Sequence, residues 1–144
     1  YSPARSSENV KIAKALLIVL LVYVGVVVAF ESLLGYFQPA GMGTMVVTTT
    51  DAGGAVFERV VARLESDGQL YVAKNHWPRA WYDRALRNPR VQVTIDGIQG
   101  AYSAVPVSGA EFDRVNADHA LGVVFRVLTG FPTRHILRLD RRDP

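Results

Sequence analysis

The 144 residues contain no cysteine, which removes disulfides, thiolate metal sites and cysteine nucleophiles from the available chemistry. Charge is missing where most chains carry some: no Asp, Glu, Lys or Arg lies between Lys14 and Glu31, and no Lys or Arg between Lys14 and Arg59. The 16 basic and 13 acidic residues leave a net charge of +3. The arginines are scattered rather than gathered in a tail or stripe, which argues against nucleic acid as a partner; a mildly cationic domain beside anionic headgroups is sufficient explanation. There is no Ser-His-Asp order, no recognisable carboxylate pair, no P-loop and no dinucleotide glycine motif. His119 and His135 have no partner at metal-ligand spacing, so no metal is expected. No internal repeat or low-complexity tract is present.

The uncharged run itself is the strongest feature. Ala15 to Phe30 (ALLIVLLVYVGVVVAF) has no strong polar group. As a helix it would span roughly 24 Å, a little less than a hydrocarbon core of about 30 Å. Ile12 and Ala13 extend it upstream beside Lys11 and Lys14, which can snorkel, and Leu33, Leu34, Tyr36 and Phe37 extend it past Glu31. A buried core helix could be equally apolar, but too little chain follows to wrap it. A cleaved signal peptide would also place lysines before an apolar stretch, but no A-x-A-like site follows. The expected organisation is therefore an N-terminal flank at 1–14, a transmembrane helix at 15–37 with Ala15, Leu16, Leu17, Leu20, Val24 and Phe30 in the anchor, a linker at 38–43 and a domain at 44–144. Arg5, Lys11 and Lys14 precede the span, so the positive-inside rule prefers a single-pass plasma-membrane protein with a cytoplasmic N-terminus and an outward domain. The short Gln38–Gly43 linker, with Pro39, Gly41 and Gly43, would hold the domain against the headgroups.

The domain reads as strands. Thr44–Thr50 is β-branched. Val56–Glu65 alternates, with Val60, Ala62 and Leu64 on one face and Arg59, Arg63 and Glu65 on the other. Asp67-Gly68 and Asp96-Gly97 are tight hairpin turns. They separate Leu70–Ala73 from the preceding strand, and Val91–Ile95 from Ala101–Val107. A short helix is predicted over Arg79–Arg87, stopped by Asn88-Pro89. Ser108 and Glu111 fit a capping box that opens a helix near Gly109. Gly122 divides it from an apolar helix through Leu128, and Thr133–Arg141 is the last strand. Six strands and few helices, mainly β with α+β character, predict a small β-barrel.

Several local motifs add to this. Val47-Thr48-Thr49-Thr50 leads to a glycine-bearing turn; Asp67-Gly68-Gln69-Leu70-Tyr71-Val72-Ala73-Lys74 follows. Trp81-Tyr82 precedes Leu86-Arg87-Asn88-Pro89-Arg90-Val91-Gln92-Val93. In these stretches residues 44–141 resemble the deazaflavin-dependent nitroreductase family. That resemblance implies a split β-barrel of the FMN-binding, pyridoxamine-phosphate-oxidase type. It also implies reduction of quinones or nitro compounds by hydride from a reduced deazaflavin. The implied cofactor-binding positions are Thr50, Gly53, Gly54, Lys74, Asn75, Trp81 and Tyr82, with His76 and Trp77 toward a substrate or ligand. The sequence departs from the family where the phosphate-bearing tail would sit. Where relatives carry Gly-Arg-Lys-Ser/Thr-Gly, this chain reads Asp51-Ala52-Gly53-Gly54-Ala55, and Glu58 replaces a later basic residue. Ala52 and Gly53 offer backbone amides in place of charged donors, and Asp51 and Glu58 repel an anion. Asn75-His76-Trp77-Pro78 replaces a Gly-Gly segment, and Trp77 would fill space a ring needs.

Other residues carry two readings each. Lys74, the last lysine in the chain, would face an anion or blunt an edge strand. The aromatics Trp77, Trp81 and Tyr82 would stack on a planar ring, sit at headgroup level or fill the core. Arg79, Arg84, Arg87 and Arg90 form a solvated face salted by Asp83, or a headgroup or partner patch. Leu121–Leu128 closes one barrel end, or lies on a membrane or partner. Two functions follow: a non-catalytic accessory or assembly subunit of a membrane complex, plausibly respiratory, or a deazaflavin-dependent reductase taking a lipophilic quinone or nitro compound from the bilayer. A sensor of planar ligands is a third. The cofactor stays unassigned, since the resemblance implies deazaflavin while its anion motif is missing.

Overall fold

A computed structural model of the chain describes residues 3–36, 43–75 and 79–143. The chain begins with helix α1, Pro3–Tyr36, so the flanking residues before Lys14 continue the apolar helix without a break. Proline at its first turn is tolerated because an N–H there has no intrahelical partner. Residues Ser7–Leu34 are long and apolar enough to cross a membrane, with mean hydropathy 2.7 and almost all of the stretch exposed.

Seven strands follow, one more than the periodicity predicts: β1 Thr44–Thr50, β2 Val56–Ala62, β3 Leu64–Ser66, β4 Gln69–Lys74, β5 Arg90–Ile95, β6 Ile98–Pro106 and β7 His135–Arg141. They form a single antiparallel sheet in the order β2-β1-β5-β6-β7-β4-β3. The two edges of that order, β2 and β3, are separated in sequence by Arg63 alone. A sheet whose opposite edges are joined by one residue must roll up until they meet, and Arg63, whose N–H bonds the Gly43 carbonyl at 2.9 Å, marks the corner. The extra strand arises here. Val56–Glu65 reads as one alternating strand, but the corner resets the alternation, so that Val61 and Leu64 are buried while Ala62 is exposed.

Register is fixed by tight turns. Asp67-Gly68 joins β3 to β4 and Asp96-Gly97 joins β5 to β6; all four residues have positive φ, between 50° and 80°, as two-residue hairpins of this hand require. The barrel interior holds Met45, Val47, Val61, Val72, Val91, Val93, Leu137 and Leu139, plugged by Trp81, Tyr82 and Ala85 from helix α2, Ala80–Arg87. Helix α3, Gly109–Asp118, covers a second cluster of Leu64, Tyr71, Ile136 and its own Val115. Ser108 precedes α3 without capping it through its side chain. The predicted capping box fails because Glu111 is drawn elsewhere, to the Tyr71 hydroxyl at 2.9 Å and to Arg138 Nη1 at 3.0 Å; a cationic donor outcompetes a neutral amide for a carboxylate.

Helix α4, Val123–Thr129, is the predicted apolar helix beyond Gly122. It packs against α1 rather than over the barrel mouth. Phe30 and Phe125 meet edge to face with centroids 6.0 Å apart, and the Tyr23 hydroxyl donates to the Val127 carbonyl at 2.9 Å. A side chain at Gly130 would press Val27 at 3.3 Å.

Candidate functional site

Two regions gather the residues singled out by sequence. The first is the turn between β1 and β2. Asp51 folds its carboxylate back over its own turn: Oδ1 accepts the N–H groups of Gly53 and of Ala55, each at 2.9 Å. The Gly54 N–H bonds the Asp51 carbonyl at 3.1 Å, with Gly54 at φ +84°. This is the Asx-turn geometry that Asp before a Gly pair favours. The amides that would otherwise converge on a phosphate are thus already held by an internal anion. As folded, this turn does not fit a phosphate-bearing tail.

Cations surround the turn without occupying it. A cavity of about 310 Å³ is lined by Thr50, Asp51, Ala52, Arg84, Arg87 and Asn88. Arg84, from α2, donates Nε to Thr49 Oγ1 at 3.0 Å and lies over the Phe57 ring at 4.0 Å. Arg87 Nε reaches the Asp83 carbonyl at 3.3 Å. Asn88 donates its side-chain amide to the Thr50 carbonyl at 3.3 Å, stitching the end of α2 to the end of β1. Sequence reading saw Asn88 only as a helix stop; its partner is 38 residues away, and no local signal indicates it.

The second region lies at the other end of α2. Trp81 and Tyr82 are buried in the barrel core and contact each other edge to face at 5.8 Å. Burial, and then the neighbouring Asp83, pushes the Tyr82 phenol above its usual range. Lys74, on β4, sits 4.6 Å over the Tyr82 ring and pairs across the sheet with His135 of β7. β3 pairs β4 only over Gln69–Tyr71, so at Lys74 the ladder continues on the β7 side. Asn75 Oδ1 accepts Arg134 Nε at 2.7 Å, while Arg134 Nη1 serves Asn116 Oδ1 and the His119 carbonyl; burial lowers the pKa of Arg134. His76 and Trp77 lie outside the described residues. Lys74, Asn75 and Tyr82 are brought near one another, whereas Thr50, Gly53 and Gly54 belong to the turn at the far end of α2. Among the described residues no group of three or more His, Asp or Glu is placed to hold a metal.

Two arginines face α1: Arg79, just before α2, and Arg59 of β2. Arg79 Nη2 pairs with Glu31 Oε2 at 3.0 Å, with Glu31 only 3 % exposed. Burial, partly offset by Glu31, lowers the Arg79 pKa. Arg59 Nη2 donates to the Leu34 carbonyl at 3.3 Å, a cation against the carbonyl-rich end of the helix, where the dipole favours it. The one acidic residue in the apolar stretch therefore has its counter-ion supplied by the domain.

No protein-family model matches the chain, and no curated protein matches it by sequence. Solved structures do match in shape. The heme storage protein HutZ from Vibrio cholerae superposes with a TM-score of 0.57 at 17% identity, over 71% of this chain and 83% of that one. The fold is a split β-barrel. An F420-H2 dependent reductase, FDR-A, superposes with a TM-score of 0.55 at 16% identity, over 72% of this chain and 99% of that one. A third structure, described as a domain-swapped dimer, gives 0.59 at 17% identity, over 72% and 84%. At such identities the likeness concerns the split-barrel fold alone. The uncovered part of this chain is close in length to α1, which covers Pro3–Tyr36.

Proposed function

We propose that this chain is a membrane-anchored split-barrel protein without catalytic activity of its own, an accessory or assembly subunit of a membrane complex, with its N-terminus cytoplasmic and its barrel outward. The observation that carries this reading is the Asp51 carboxylate lodged on the Gly53 and Ala55 amides. A barrel that fills its own anion nest has no use for a phosphate-bearing cofactor there. The α1 helix with its apolar surface supports the membrane setting, and Trp81 and Tyr82, committed to the core, leave little ring-stacking surface.

The test is titration of the full chain, in detergent or bilayer discs, with deazaflavin and separately with FMN, followed by cofactor fluorescence. No binding by either at hundreds of micromolar is the expected result. Micromolar deazaflavin binding overturns it in favour of the second reading, a reductase acting on a lipophilic quinone or nitro compound. One observation favours that alternative: Arg84 and Arg87 line a cavity next to the turn and would bring the positive charge that Ala52 and Gly53 lack.

A further inference from the structure

We propose that α4 and the Phe131 that follows it are inserted into the hydrocarbon layer beside α1, so that the barrel is partly sunk in the bilayer instead of resting on it. The inference rests on the membrane-anchor reading of α1 and adds what the fold does with it.

The argument is one of length. A hydrocarbon core of about 30 Å takes about 20 helical residues. Counted from Ala15, just past the last cation, the core ends near Leu34. Tyr23 and Phe30, the residues that touch α4, then lie about 12 and 23 Å inside it at the helical rise per residue. Sliding the span six residues toward the N-terminus, so that Lys11 and Lys14 snorkel over about two turns, still ends it near Val28. Tyr23 and Val27 remain within. Tilting the helix only lengthens the stretch inside the core. No placement that keeps the lysines near an interface leaves the Tyr23 and Val27 contacts with this segment in water.

The surface of α4 agrees. Val123 and Val124 are 71% and 73% exposed and Phe131 is 56% exposed, on or just after a helix that packs against α1. Phe131 holds φ +52°, a backbone state that a bulky residue rarely adopts, and more than half of its surface stays exposed. The one charge on α4, Arg126, lies 5.5 Å over the Phe131 ring beside a polar cavity lined by Asn116, Thr129 and Arg134. A long cationic side chain can rise from there to headgroups. Acyl chains are the occupant that the Val123, Val124 and Phe131 side chains, joined to a membrane span, select, with Arg126 at the border of the patch.

The native chain has no cysteine, so nitroxide labels can be placed singly. Four variants in lipid vesicles test the proposal: Val124→Cys, Phe131→Cys, Val19→Cys in the middle of the apolar run, and Asp96→Cys on the exposed β5–β6 turn as the aqueous marker. Collision with oxygen and with a water-soluble nickel chelate is measured at each. The expected result is loss of nickel collision and gain of oxygen collision at Val124 and Phe131, as at Val19 and opposite to Asp96. Aqueous behaviour at both α4 sites with Val19 in lipid overturns the insertion and leaves the anchor standing. Shielding from both probes at the α4 sites means a protein covers them, and also overturns it. Aqueous behaviour at Val19 removes the anchor reading itself.

Discussion

Removing the Asp51 carboxylate tests whether the turn excludes anions because it is occupied. In Asp51→Ala the Gly53 and Ala55 amides, now bonded to Oδ1 at 2.9 Å, return to water. Because the turn is exposed, the lost bonds cost about 1 kcal/mol in stability, near the usual net value for hydrogen bonds, and a urea midpoint should fall accordingly. The same change removes a negative charge from the turn that would face a phosphate, and the repulsion is gauged at a contact separation of about 4 Å. Coulomb's law puts that repulsion at about 1 kcal/mol in bulk water and about 4 kcal/mol at an effective dielectric near 20. At about 1.4 kcal/mol per tenfold, affinity should rise by about 5- to 500-fold, toward the low end at physiological ionic strength, where screening is strong. Calorimetric titration with inorganic phosphate and with deazaflavin reads the gain. Asp51→Asn separates occupancy from charge: its amide oxygen keeps the two bonds, so anion binding should stay weak if occupancy is the cause and should match Asp51→Ala if charge is. An Asp51→Ala variant with unchanged stability and unchanged affinity for both ligands would refute the reasoning.

Three further outcomes follow from the described contacts. Arg79→Gln breaks a buried ion pair and should destabilise the docked domain by about 3–5 kcal/mol; in denaturant titration, the double variant with Glu31→Gln should cost clearly less than the sum of the singles, and strict additivity contradicts the pairing. Glu111 is held below the usual carboxylate range by hydrogen bonds from Arg138 and then Tyr71. Its stabilising contribution is therefore present above the unfolded value of about 4.3 and fades as pH falls through it toward the lower folded value. The Tm gap between wild type and Glu111→Gln should close below about pH 4, and a constant gap argues against the linkage. Gly130→Ala forces a side chain into φ +78° and against Val27, costing about 1–2 kcal/mol for the backbone alone; adding Val27→Ala should recover only the contact part, read from urea midpoints.

Much of the barrel was legible because its signals are local. Asp67-Gly68 and Asp96-Gly97 announce their hairpins, the alternation of Val91 and Val93 matches their burial, and Gly122 does mark the start of a separate helix. The corner at Arg63 was not legible, since nothing near it interrupts the alternation read over Val56–Glu65; only the pairing of distant edges reveals it. At the candidate site the lack of any Lys or Arg from Thr44 to Glu58 could be read directly. The reach of Asp51 onto its own amides could be suspected from the Asp-x-Gly pattern but not established. Docking on α1 was hidden for a different reason. A helix apolar on every side carries no periodicity to say which face a partner covers, and Glu31 finds its counter-ion 48 residues away.

The clamp of Glu31 on Arg79, Tyr23 on Val127 and Phe30 on Phe125 fixes how the barrel is presented. A domain on a slack tether samples all orientations, and a partner must wait for the productive one. Here the contacts hold the barrel in one orientation on α1. A partner approaching along that helix would meet one invariant surface, with the cost of orienting the domain already met by the fold.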